Sequence, residues 1–147
     1  MRSFLQEVKQ TSVVAATSAG TTNVNGTVLD MLGFEGVAFT AMFGTLTSTA
    51  VTGIKVQHGD LANGSDMADL AGTALAIADT GSGKCLTSEV IKPRKRYVRV
   101  VVTRGTANAV IDRVLAFQFT ADKMPVTQDA TTIVGTEQTI QPAAGTA

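Results

Sequence analysis

The chain has 147 residues with twelve basic and twelve acidic side chains, enough for one domain with its own core and no need of metal or disulfide staples. Balanced charge argues against a protein that coats nucleic acid, which is ordinarily basic overall. A single cysteine, Cys85, excludes an internal disulfide, and 44% hydrophobic residues, largely Ala and Val, beside 16% charged ones point to a β-rich protein partly covered by other chains.

In chain order, residues 1–8 can form one weak helical turn, with Phe4, Leu5 and Val8 on one side. Thr11 to Asn25 is uncharged and rich in Thr, Ser, Ala, Val, Gly and Asn, which reads as extended arm and turns. Val13, Val14, Val24 and Val28 are its expected anchors. Val37, Phe39, Ala41 and Phe43 then alternate with Ala38, Thr40 and Met42, the period of a strand with one apolar face. After a turn over Thr45–Ala50, Val51–His58 continues as a strand with Ile54 and Val56 inward and Lys55 and Gln57 outward.

The helix candidate, Met67–Ala78, is interrupted by Gly72, so a short helical turn near Asp66–Leu70 and an irregular Ala-rich connection are expected. Lys84–Ile91, Arg96–Thr103 and Ala109–Thr120 supply three more strands; in the last, Ile111, Leu115, Phe117 and Phe119 are expected to share one face, and Asp112, Val114, Ala116 and Gln118 the other. Strands at roughly ten-residue spacing, separated by Gly, Asn and Asp turns, predict an all-β fold. The expected architecture is an antiparallel β-sandwich, jelly-roll-like, as a single domain over 29–124, with an N-terminal arm over 1–28 and a C-terminal arm over 125–147. That C-terminal stretch is rich in Thr, Ala and Gln and has few apolar anchors, so it cannot stabilise itself on a core. Its β-branched Ile133, Val134 and Ile140 suggest order against a neighbour.

No constellation carries chemistry. Asp60, Asn63, Ser65, Asp66 and Asp69 miss the calcium-loop spacing and read as turn residues. Gly81-Ser82-Gly83-Lys84 resembles the end of a phosphate loop, but Ala78 stands where the first glycine belongs and Cys85 where a magnesium-holding hydroxyl belongs. It is read as a hairpin turn. Cys85 reads as a small apolar strand residue. His58 has no second His or Cys at ligand spacing. No catalytic residue, metal site or cofactor is therefore assigned, and an enzyme is not expected. The N-terminus lacks a signal-peptide core, and no segment approaches the roughly 20 apolar residues of a membrane span. Synthesis and folding in a cytoplasm are expected, with no membrane partner.

The most informative segment is KPRKRYVRVVVTRGTANAVID, Lys92–Asp112, which holds six of the twelve basic residues. Val98, Val100 and Val102 fall on one face of its strand, and Tyr97, Arg99, Val101 and Thr103 on the other. A single aromatic, Tyr97, is too few for the base-stacking platform of a single-strand binder, and no nucleic-acid partner is expected. A protein interface fits better, because Arg and Tyr are enriched where partners meet. Arg94, Arg96, Tyr97, Arg99 and Arg104, with Ile133, Val134 and Ile140, are the candidate contact residues.

The run RKRYVRVVVTRGTANAVID, the aromatic strand after it, PVTQDATTI and the Gly-Thr-Ala terminus resemble a family of tailed-bacteriophage head decoration, or cement, proteins. The similarity runs from about Gly36 to the C-terminus and weakens over the first thirty residues. What the resemblance implies is a virion structural protein, often a homotrimer, bound to the major capsid protein on the exterior of the expanded capsid. It would be made in the host cytoplasm and stabilise the capsid by bridging subunits. Another virion component of similar fold, a tail, neck or fibre-base protein, is the alternative.

Overall fold

Period-2 apolar patterns dominate the chain, and strands dominate the computed structural model, which describes residues 3–140 and 144–145. After one helical turn, α1 (Phe4–Glu7), come β1 (Lys9–Val14), β2 (Thr17–Gly20), β3 (Val24–Asn25), β4 (Leu29–Asp30), β5 (Phe34–Leu46) and β6 (Val51–Gly59). Then follow β7 (Ala68–Asp69), β8 (Leu75–Ile77), a 3-10 turn (Asp79–Gly81), β9 (Cys85–Ile91), β10 (Tyr97–Gly105) and β11 (Ala109–Ala121). They form two antiparallel sheets, an all-β sandwich. The first sheet runs β1-β11-β5-β9, with β2 also on β11; the second runs β3-β10-β6-β7, with β4 on β10 and β8 on β6.

The core lies between the sheets. Val37, Phe39, Ala41 and Phe43 of β5 meet Ile54 and Val56 of β6 and Val98, Val100 and Val102 of β10, all essentially inaccessible to water. These faces are as the alternation requires. Strand β11 departs from its expected phase. Its register on β5 shifts between Ile111 and Arg113, which face Phe43 and Met42, so β11 carries an extra residue, Asp112, at a bulge. A bulge reverses which parity points inward. Ile111 is buried before it, but Val114, Ala116 and Gln118 are buried after it, and Leu115, Phe117 and Phe119 turn to the outer face. Buried Gln118 is accommodated because its Nε2 donates to the Asp30 carbonyl at 2.8 Å.

Three further expectations are corrected. Most of the supposed N-terminal arm lies within the sheets: β1 and β2 pair with β11, β3 pairs with β10, and Val13 and Val14 join the core. Two adjacent buried valines hold this stretch down, although it lacks a long apolar run. No helical turn forms at 66–70. Leu70 N–H instead donates to the Val56 carbonyl, which adds β7 to the margin of β6. The Gly81–Lys84 turn carries the chain from β8 in one sheet to β9 in the other, so it is not a hairpin. The turn reading of 60–66 holds: Asp66 accepts the Asp60 and Leu61 N–H groups, and Asn63 accepts that of Ser65.

The C-terminal segment begins as the sequence suggests, without regular structure, yet its first part is tied to this chain. Gln128 Oε1 accepts the Gln10 N–H at 2.8 Å, while its Nε2 donates to the Val8 carbonyl at 2.7 Å and the Leu5 carbonyl at 3.1 Å. Thr132 Oγ1 accepts the Ser12 N–H at 3.1 Å and donates to Asp129. One side-chain amide thus stands in for a neighbouring strand along the outer edge of β1.

Candidate interaction surface

The basic segment follows the sandwich from one end to the other, and its arginines divide by position. Arg104 shares the parity of Val98, Val100 and Val102 and is only 8% exposed. Its Nε donates to the Thr22 carbonyl at 2.8 Å, and its Nη1 to the Ser18 and Ala109 carbonyls, each at 2.9 Å. Gly20 makes room: a Cβ there would lie 3.1 Å from Nη2. Arg104 therefore pins β2 and the turn after it to the start of β11. Its expected role as a contact for partners is overturned, because the guanidinium faces inward and gives three of its N–H groups to main-chain carbonyls.

Arg99 lies on the outer face in a polar ladder. Its Nε donates to Gln57 Oε1 at 2.8 Å, Gln57 Nε2 donates to Asp69 Oδ1 at 2.7 Å, and Lys55 Nζ reaches Asp69 Oδ2 at 2.7 Å. Lys55 and Gln57 together hold the Asp69 carboxyl below its ordinary range. Arg96 grips Asp30 with two bonds, Nε to Oδ1 at 2.8 Å and Nη2 to Oδ2 at 2.6 Å, and its guanidinium lies 5.2 Å from the Tyr97 ring centroid. Arg96 lowers the Asp30 carboxyl, aided by the Leu32 N–H and opposed by partial burial. Lys95 pairs with Asp60 at 2.9 Å, and Lys92 approaches Glu35 at 3.7 Å. Among the described residues, Arg94 alone of this segment's basic groups has neither a hydrogen bond nor an ion pair.

Arg94 stands at the end of the sandwich where apolar side chains are also left in water. Two grooves, of about 480 and 400 Å³, flank the Leu32–Phe34 turn. One is bounded by Lys9, Asp122, Lys123 and Pro125, the other by Lys92 to Arg96. A third, of about 490 Å³, lies between α1 and the end of β11, lined by Val8, Phe119 and Met124. Leu32 is 69% exposed and Met124 63%. Exposed apolar groups rimmed by charge are the anatomy of a protein contact. Sequence reasoning missed Leu32 and Met124 because single apolar residues in turns have no periodicity to signal them.

The other candidates disperse. Tyr97 is half-buried beneath Arg96, Ile133 is half-buried beside the edge of β1, and Val134 and Ile140 are exposed beyond it. Cys85 lies exposed on β9, outside the core. Among the described residues, no group of three or more His, Cys, Asp or Glu is placed to hold a metal ion, and no helix is long and apolar enough to cross a membrane. No protein-family model matches the chain, and no curated protein matches its sequence.

Proposed function

We propose that the chain is a head decoration, or cement, protein of a tailed bacteriophage, which binds the outside of the expanded capsid and bridges subunits of the major capsid protein. The observation that carries this reading is exposed Leu32 sharing a groove with Arg94, whose guanidinium has no partner among the described residues, while exposed Met124 lines the groove at the end of β11. Such an end offers apolar anchors and a planar fork for carboxylates. The resemblance of the basic strand and the PVTQDATTI segment to that family supports the choice of partner. Engagement of Lys92, Lys95, Arg96, Arg99 and Arg104 within the domain supports a protein partner over nucleic acid, because the basic segment keeps few free cations for phosphate.

Attachment works by multiplicity. Copies joined to several capsid subunits experience a high effective concentration, so modest contacts sum to a durable clamp. Internal DNA pressure then has to break many contacts together.

Co-sedimentation with purified heads tests the reading. The chain is expected to bind expanded heads and leave compact proheads bare; equal binding to both, or to neither, overturns it. Leu32→Asp combined with Arg94→Glu is expected to abolish binding with an unchanged circular dichroism spectrum. Gold label found on tails or necks would reassign the chain to another virion part.

A further inference from the structure

The two edges of the first sheet are finished differently. The outward N–H groups of Gln10 and Ser12 on β1 are taken by Gln128 and Thr132. At the other edge, Lys92 N–H donates to Glu35 and the Lys84 carbonyl accepts from Phe43, so even-numbered residues of β9 bond to β5. The main-chain groups of Cys85, Thr87, Glu89 and Ile91 therefore point away from the sheet, and among the described residues nothing receives them. This edge is seven residues long, has an unbroken register on β5 and contains no proline. Natural edges are usually blunted by bulges, prolines or covering segments, because an open one templates another strand. Here one edge is covered and the other is not.

We propose that β9 is a self-association site, at which a second copy of this chain adds its own β9 antiparallel across a two-fold axis through Ser88. The partner follows from the residues. Hydrogen-bonding parity allows only odd positions to face odd positions. With the axis at Ser88, Cys85 faces Ile91 of the second copy, Leu86 faces Val90, and Thr87 faces Glu89, so the apolar positions meet one another and all seven residues pair. Moving the axis to Glu89 sets two carboxylates directly opposite, which is destabilising. Moving it to Thr87 leaves Val90 and Ile91 unpaired. A strand that complements itself in one register is what a two-fold interface requires. Ile91, 60% exposed on the outer face, gains a neighbour in Cys85 of the second copy. Lys84 and Lys92 face each other at the flanks, where a left-handed φ of 51° at Lys92 turns the chain out of the strand. Their repulsion is screened by salt, so salt tightens the dimer. The proposal is independent of the capsid reading, since it concerns the free protein.

Sedimentation equilibrium of the full chain, with register-specific crosslinking, tests it. The wild type is expected to be a dimer. In an antiparallel pair without direct hydrogen bonds the opposed Cα atoms lie about 4.5 Å apart, within disulfide reach. Cys85→Ala with Ser88→Cys is therefore expected to form a covalent dimer on mild oxidation, while wild-type Cys85 does not. Thr87→Glu places acid opposite acid twice and is expected to weaken the dimer at least ten-fold; Thr87→Pro, which removes the outward N–H and an exposed hydroxyl contact with Thr40, is expected to give a monomer. If the proline variant fails to fold, the glutamate variant decides. A monomeric or trimeric wild type, crosslinking through Cys85, or a dimer indifferent to Thr87→Glu would each overturn the proposal. A dimer lost on truncation after Ile133 would assign the edge to the C-terminal segment instead.

Discussion

The two ends of the basic segment carry the same side chain to opposite purposes. At the far end of β10, Arg104 is enclosed and donates to three carbonyls of the domain; at the near end, Arg94 stands in solvent without a partner among the described residues. Between them, Arg99 and Arg96 are progressively more exposed and tied to side chains rather than main chain. A guanidinium thus does structural work in proportion to how much of its hydrogen-bonding water has been replaced by protein.

Substitutions along the strand can break or sharpen this gradient. Arg104→Met should have the largest effect, about 3 kcal/mol of lost stability in urea denaturation, because three carbonyls lose their donor in a buried setting. Arg104→Lys should not restore it, since an ammonium lacks the planar fork. Retention of wild-type stability by either variant would erase the distinction between the two ends. Gln57→Ala interrupts the ladder from Arg99 to Asp69 and should cost about 1 kcal/mol. A double-mutant cycle with Arg99→Ala should give less than the sum of the single losses.

Asp30→Asn, which weakens the grip on Arg96, should cost less again, because both partners are about half exposed, at 43% and 49% of the side chain. Its pH dependence has a defined sign. The folded-state pKa of Asp30 is depressed, so its contribution is fully present above the unfolded value of about 3.9. It is lost as pH falls through the lower folded value. The gap in melting temperature between wild type and variant should therefore close in strong acid and stay constant near neutrality. Arg94→Glu should leave the melting temperature unchanged while reducing binding to expanded heads. A drop in melting temperature there would show that the near end also serves the fold.

Much of the sandwich was legible because alternation is a local property. Val37 to Phe43, Ile54 with Val56, and the three valines of β10 declared their inward faces by parity alone. Arg104 could have been read by the same rule, since it continues the series of Val98, Val100 and Val102; its charge argued against burial, and only the carbonyls converging from Ser18, Thr22 and Ala109 make that burial tolerable. The inversion of β11 was not legible. Nothing in the run from Ile111 to Phe119 marks Asp112 as an extra residue, and a bulge is defined by the strand opposite. The clamp by Gln128 was equally hidden, since it joins residues more than a hundred positions apart through a side chain common in any polar tail.

By itself, the sequence determined the all-β class, the main strands and most of the core, because period-2 burial needs only neighbours along the chain. Tertiary structure decided which arginines are enclosed, which face of β11 points inward, and which edge of the first sheet is left open. Each depends on partners brought together from distant parts of the chain, and hydrogen bonds to main-chain groups have no signature in the residues that supply them.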